Sequence, residues 1–127
     1  AVKQEKYTCF LNPETKLPMI FMDDAIRSTI ELMQAPKENI RTRTSYNLGG
    51  MSFSPSEIAS EIQKLCPNFK VEYNVDFRQE IADKWPKSIN DDEARKDWDW
   101  KPKYDLKSMT VLMLEKLKEI YNTTTLK

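Results

Sequence analysis

Three side chains in one short stretch could bind a small charged molecule. They are Arg78, Asp83 and Trp85, and Pro86 follows the indole. A guanidinium can grip a carboxylate at two points, a carboxylate can attract an ammonium group, and an indole can exclude water from a reacting carbon. Each residue also has a structural alternative. Arg78 and Asp83 could pair with charged neighbours, and Trp85 could cover a junction between domains.

The other tryptophans and the acidic clusters favour structural roles. Trp98 and Trp100 alternate with Asp97 and Asp99, which is typical of aromatic anchors for the last helices. The acidic residues 91, 92 and 93 are consecutive, so their side chains cannot converge on one ion from a helix start. Helix capping is the better interpretation, and the same holds for Asp23 and Asp24. No metal site is therefore predicted.

Several classes of chemistry are excluded by composition. The chain contains no histidine, the commonest general base and metal ligand. Its two glycines are adjacent, Gly49 and Gly50, so no glycine-rich phosphate loop can be built. Cys9 and Cys66 form no Cys-x-x-Cys motif and are interpreted as buried thiols of a reducing compartment.

The size and charge of the chain indicate one ordinary domain. It has 127 residues, with 20 basic and 20 acidic side chains and a formal net charge of zero. This balance argues against binding to nucleic acid or membrane through bulk charge, and no apolar run approaches the roughly 20 residues of a membrane span. The first residues do not resemble a secretion signal. Because the chain begins at Ala1, without an initiator Met and as if in the last turn of a helix, we expect it to be a piece of a longer protein.

Hydrophobic periodicity predicts an α/β order of elements. Strands are predicted over 7–11, 17–22, 44–48 and 69–75, and helices over 24–34, 55–65, 77–84, 91–98 and 106–121. Asp23 and Asp105 are predicted N-caps, and Ser54 with Glu57 and Asn90 with Glu93 have capping-box spacing. The expected inward stripes are Ile26, Ile30 and Met33 on the first helix and Met109, Leu112, Met113, Leu117 and Ile120 on the last. The tail T-T-T-L-K, residues 123–127, is expected to fray.

Four segments together resemble the C-terminal part of the extended short-chain dehydrogenase/reductases, the superfamily of nucleotide-sugar epimerases. They are P-M-I-F-M-D-D-A-I-R-S-T-I-E-L-M, Y-N-L-G-G-M-S-F-S-P-S-E-I-A, the alternating strand followed by Arg78, and D-D-E-A-R-K-D-W-D-W-K-P-K-Y-D-L. Within the superfamily, L-P-M with Asp23-Asp24, R-Q-E-I-A-D-K-W-P and A-R-K-D-W-D-W are similar to the short-chain type of NAD-dependent L-threonine 3-dehydrogenase. The Arg-x-Gly-Asp segment with which the epimerases serve a pyrophosphate is replaced here by R-Q-E-I-A-D.

This resemblance implies a small substrate domain over residues 1–127, plus one strand, Thr44 to Leu48, of the Rossmann sheet of an N-terminal half. The family's dinucleotide fingerprint and its catalytic Tyr-x-x-x-Lys pair belong to that half. None of the five tyrosines here has a lysine four positions later. NAD is therefore expected to bind mainly to the N-terminal half, which also becomes the expected partner. The resemblance further implies a homodimer of the full-length enzyme, in the cytoplasm or mitochondrion.

The resemblance also makes the expected roles of the candidate site residues more specific. Trp85 becomes a lid over the bound amino acid, Arg78 a grip for its carboxylate or an aid to domain closure, and Asp83 an attractor of its ammonium group. Pro18 and Met19 line either the cleft between domains or the small core. Two alternatives to L-threonine dehydrogenation stay open: a nucleotide-sugar epimerase or dehydratase, and a non-catalytic module that folds alone.

Overall fold

The structure, a computed structural model, describes residues 1–124. Residues 125–127 of the tail that was expected to fray lie outside the described residues. The strands are β1 (Lys6–Cys9), β2 (Leu17–Met19), β3 (Met51–Phe53) and β4 (Lys70–Tyr73). The helices are α1 (Met22–Gln34), α2 (Pro55–Leu65), α3 (Arg78–Ala82), α4 (Asp92–Trp98) and α5 (Leu106–Thr124), and a 3-10 turn covers Lys37–Asn39.

The strands form two small sheets. β1 and β4 pair in parallel, with Tyr7 opposite Val71. β2 and β3 pair in an antiparallel manner, with Leu17 opposite Phe53. Helix α2 packs against α5. The predicted α/β class is confirmed. Within residues 1–124, no helix has both the length and the apolar character needed to cross a bilayer.

The clearest local signals of the sequence are confirmed. Ser54 and Glu57 form a reciprocal capping box at the start of α2, with Pro55 at its first helical position. Strand β4 alternates between exposed and half-buried side chains, and Phe69 before it is buried. Asp105 caps α5, because its carboxylate accepts the Ser108 N–H at 2.8 Å.

Other element boundaries were predicted wrongly. Strand β2 ends at Met19, and α1 already begins at Met22, so Asp23 lies in its first turn and the N-cap is Phe21. Strand β3 was missed. The segment 44–48 pairs with no strand among the described residues, so its place in the sheet of an N-terminal half stays a prediction. Asn90 accepts the Asp92 N–H at 2.9 Å instead of forming the expected capping box.

The apolar face of α1 points outward, contrary to the prediction. Ile26, Ile30 and Met33 are all exposed, Met33 by 80%. Asp24 and Ser28 are instead the buried side chains of this helix. On α5, Met109 and Leu114 are buried, whereas Met113, Leu117 and Ile120 of the expected stripe are largely exposed. The sequence pattern identified these faces correctly as apolar, but this chain does not cover them.

A buried carboxylate holds the polar face of α1 in place. Asp24, 1% exposed, accepts the backbone N–H groups of Lys103 and Tyr104 at 3.0 Å and the Arg27 guanidinium at 2.7 Å. Arg27 also lies over the ring of Trp100, 4.6 Å from its centroid. Trp100 is fully buried and donates its indole N–H to the carbonyl of Gly49 at 3.2 Å, in agreement with the predicted anchoring role.

Candidate functional site

Trp85 lies at the edge of a polar depression of about 320 Å³. The turn between β1 and β2 forms one wall, and α3 with the residues after it forms the other. Side chains of both charges line the depression: Glu14 and Asp83 are acidic, and Lys16 and Lys87 are basic. Trp85 itself is 59% exposed, so its indole is available to a bound molecule. The structure thus brings together two of the five predicted site residues, Trp85 and Asp83.

Gln79 joins the two walls. Its carbonyl oxygen accepts the Asn12 N–H at 2.8 Å and the Thr15 hydroxyl at 3.1 Å. Its amide nitrogen lies 2.9 Å from the Thr15 hydroxyl and donates to the Asp83 carboxylate at 2.6 Å. Sequence reasoning missed Gln79, although its spacing of four residues from Asp83 places both on one face of a helix.

Arg78 lies apart from this depression. Its guanidinium donates to both oxygens of Asp76, at distances of 2.7 to 3.2 Å, and sits 3.3 Å from the centroid of the Phe10 ring. The hydrogen bonds from Arg78 hold the pKa of the Asp76 carboxyl below its usual range. Arg78 therefore forms an ion pair with a neighbour, which is the structural alternative given for it above.

Pro18 and Met19 line a different, smaller cavity of about 230 Å³ beside Gly49 and Gly50. Met19 also reaches an apolar cavity of about 310 Å³ between the two sheets and α2. The two residues lie on β2, and Met19 is 41% exposed, so the choice between the domain cleft and the small core stays a prediction. The structure does not bring them to the depression at Trp85.

Two buried aspartates, Asp91 at the N-cap position of α4 and Asp97 within that helix, join distant segments. Asp91 accepts the Gly49 N–H at 3.2 Å and two hydrogen bonds from Arg95. Asp97 accepts the Tyr46 hydroxyl at 2.6 Å and the Arg41 N–H at 3.1 Å. The Tyr46 hydroxyl is the main cause that holds the pKa of Asp97 below its usual range, against the opposing effect of burial.

These acidic side chains have protein partners, so they do not present an open metal site. No group of three or more potential ligands that could hold a metal ion occurs within residues 1–124. The depression at Trp85 instead combines an indole with side chains of both charges. Such an arrangement can bind and orient a small zwitterion.

Comparison with known proteins places these features in a wider context. No family model matches the chain. It is 50% identical to mitochondrial L-threonine 3-dehydrogenase of Sus scrofa over 115 residues, which cover 90% of this chain and 31% of that protein. It is 47% identical to an uncharacterised epimerase/dehydratase of Staphylococcus haemolyticus over 120 residues, which cover 94% of the chain and 38% of the relative.

The fold is shared with solved structures as well. The apo form of a GalE-like L-threonine dehydrogenase from Cupriavidus necator superposes with a TM-score of 0.85 and 52% identity, over 88% of this chain and 40% of the solved one. The chain thus spans 31% to 40% of the length of these proteins. The fold class and the superfamily predicted from the sequence are confirmed.

Proposed function

We propose that the chain forms the substrate side of an NAD-dependent L-threonine 3-dehydrogenase. The reason is that it corresponds to the C-terminal part of an extended short-chain dehydrogenase/reductase. The reaction would convert L-threonine to 2-amino-3-oxobutyrate, with hydride transfer to NAD. The observation that carries this proposal is the identity of about one half to L-threonine 3-dehydrogenases over nine tenths of the chain.

The depression at Trp85 supports an amino acid as substrate. A zwitterion carries one charge of each sign, and the depression offers both signs a short distance from an indole. Asp83 would attract the ammonium group. Because Asp76 holds Arg78 and Glu57 holds Lys16 at 3.2 Å, the positive side of the depression comes from Lys87. Trp85 would cover the bound molecule and exclude water, which strengthens every electrostatic interaction beneath it.

The residues of this chain do not fit a dinucleotide site. Such sites need a glycine-rich turn that leads from a strand into a helix. Gly49 and Gly50 instead precede β3. A Cβ atom at Gly50 would lie 2.7 Å from the carbonyl oxygen of Met19, so the absence of a side chain serves the close approach of β2. NAD, which accepts the hydride, would therefore be bound by an N-terminal part of the same protein.

The exposed apolar faces support such a partner. Met22, Ile26, Ile30 and Met33 form one exposed stripe along α1. Contiguous exposed apolar surface is typical of an interaction site. An N-terminal part that packs on α1 would bury this stripe and supply the proton-transferring groups. The name of the Sus scrofa relative favours a mitochondrion, with the cytoplasm as the alternative.

The test uses the full-length protein and follows NADH formation by absorbance. We expect L-threonine to support NADH formation. Replacement of Trp85 by Ala should lower kcat/KM for threonine by roughly tenfold or more, because correct positioning carries a large share of the rate. Lys84→Ala is the matched control on the neighbouring exposed residue and should leave the rate unchanged. Because Trp85 is mostly exposed, W85A should also unfold at the same urea concentration as the wild type.

Other outcomes would contradict the proposal. Turnover that requires a nucleotide sugar would identify an epimerase or dehydratase, which the Staphylococcus haemolyticus relative favours as the second candidate. A stable monomer of this chain alone, without a companion chain and without either activity, would favour a non-catalytic module.

A further inference from the structure

The segment that carries Trp85 is weakly held. In residues 76–87, which we call the Trp85 segment, all side chains are exposed except those of Gln79 and Ala82. Helix α3 within it has five residues, which is too short to be stable without tertiary contacts. Segments with so little buried surface open at low free-energy cost. The position of Trp85 therefore depends on the few bonds that fasten this segment.

Gln79 supplies the polar part of that fastening. Its side chain reaches the turn between β1 and β2 through Asn12 and Thr15, more than sixty positions away in the chain, and Asp83 on its own helix. The turn is itself closed by the Thr15 N–H, which donates to the Asn12 carbonyl at 3.1 Å. One amide thus connects a closed turn to the helix that precedes the indole.

The chemistry of these contacts requires an amide. The carbonyl oxygen of Gln79 accepts from Asn12, and its nitrogen donates to Asp83 at 2.6 Å. A glutamate could accept but could not donate, and it would place a second negative charge beside Asp83. An alanine would leave the Asn12 N–H without this acceptor and the turn without its link to α3.

We propose that Gln79 is a positioning residue, which holds the Trp85 segment against the turn between β1 and β2 and so sets the place of the indole over the substrate. This proposal rests on the proposed function for its kinetic part only. Gln79 also lines the depression, but Asn12, Thr15 and Asp83 occupy its side-chain amide. Its effect on catalysis passes through Trp85.

The kinetic test combines the variants Q79A and W85A in the full-length enzyme. Q79A should raise KM for L-threonine and lower kcat/KM by roughly tenfold. The reason is that a displaced Trp85 segment would no longer hold the indole in the correct place over the substrate. KM for NAD should not change. In the W85A background, the same substitution should change kcat/KM less than about twofold, because the indole it positions is absent. An equal loss in both backgrounds would overturn the proposal.

The matched control is Gln63→Ala. Gln63 lies on α2 and donates to the carbonyl of Phe69 at 3.1 Å, so it is also a helical glutamine with a tertiary hydrogen bond. Its loss should leave both KM values unchanged. If Q63A and Q79A had the same kinetic effect, general loosening of the fold would explain both, and the proposal would be wrong.

Amide hydrogen exchange tests the positioning without any activity. The N–H groups of Asp83, Lys84 and Trp85 donate to the carbonyls of Gln79, Ile81 and Ala82 at 2.9 to 3.2 Å. Q79A should accelerate exchange at these three amides by roughly tenfold, and Q63A should not. If Q79A left the exchange rates of these three amides unchanged, Gln79 would not hold the Trp85 segment in place. If the wild-type protein did not oxidise threonine, the proposed function would fail, whereas this measurement would still decide the role of Gln79.

Discussion

Replacing Asp24 by alanine should destabilise the protein far more than replacing its neighbour Asp23. The two residues are chemically identical and adjacent in the first turn of α1. Asp24 is 1% exposed, and Asp23 is exposed. The comparison therefore separates the tertiary role of a buried carboxylate from the general effect of a negative charge near a helix start.

The contacts of Asp24 set the size of the effect. The D24A variant would leave the N–H groups of Lys103 and Tyr104 without an acceptor and would remove one partner of Arg27. Breaking a buried ion pair by removing one partner costs about 3–5 kcal/mol. Because Arg27 keeps its bonds to Glu31 and to the carbonyl of Lys101, we expect a value near the lower end, about 3 kcal/mol.

The control variant should have a small effect. Asp23 occupies a favourable position in the first turn of the helix, which contributes about 0.3–1 kcal/mol. Urea denaturation followed by tryptophan fluorescence measures both variants. The fully buried indole of Trp100, under Arg27, should report the transition. Circular dichroism over the same titration checks that unfolding is a single transition.

The effect should also depend on pH in a defined direction. Burial alone would raise the pKa of Asp24, but hydrogen bonds from Arg27, Lys103 and Tyr104 outweigh it and lower the pKa below its ordinary value. A carboxyl with a lowered pKa in the folded state stabilises that state above its unfolded pKa, about 3.9, and loses this contribution as pH falls through the folded pKa. The difference in the free energy of unfolding between the wild type and D24N should therefore shrink in acid.

Two results would refute this reasoning. One is a cost of D24A that lies within about 1 kcal/mol of the cost of D23A, since the buried network would then contribute little. The other is a difference between the wild type and D24N that grows as pH falls. That result would mean that the folded state favours the protonated carboxyl.

Three further substitutions test the packing of the chain. Tyr46→Phe should cost about 1.5–3 kcal/mol in urea denaturation, because it removes a hydrogen bond to the buried carboxylate of Asp97, and it should raise the pKa of that carboxyl. Ser54→Ala should cost about 1 kcal/mol through loss of the N-cap of α2, whereas the exposed Ser60→Ala should be neutral. Gly50→Ala should lower the melting temperature, because its Cβ would meet β2 backbone at 2.7 Å; an unchanged value would contradict this close approach.

Features that depend on neighbouring residues were predictable from the sequence. The capping box at Ser54, the Asp105 cap and the alternation of β4 all occur as expected. Each depends on backbone geometry and side chains within a few positions. The same applies to the motifs that identify the superfamily, since they are read directly from residue types and order.

The candidate site was only partly predictable. Trp85 and Asp83 line the same depression because both lie directly after the short helix α3. Arg78 is the first residue of that helix, but its guanidinium forms an ion pair with Asp76, two positions earlier, and lies outside the depression. Gln79 was overlooked because its partners on the turn between β1 and β2 lie far away in the chain, and sequence periodicity does not reveal such contacts.

The superfamily, the α/β order and the approximate bounds of most helices follow from the residue types and their spacing. The tertiary structure decided which face of each helix is buried. Helix α1 shows the difference most clearly, because its apolar stripe predicted an inward face and its polar face is the one that this chain covers. The physical reason is that Asp24 finds its partners at Lys103 and Tyr104, about eighty positions away. Unpaired backbone N–H groups are costly to bury, so they direct the carboxylate inward and leave the apolar stripe exposed for another surface.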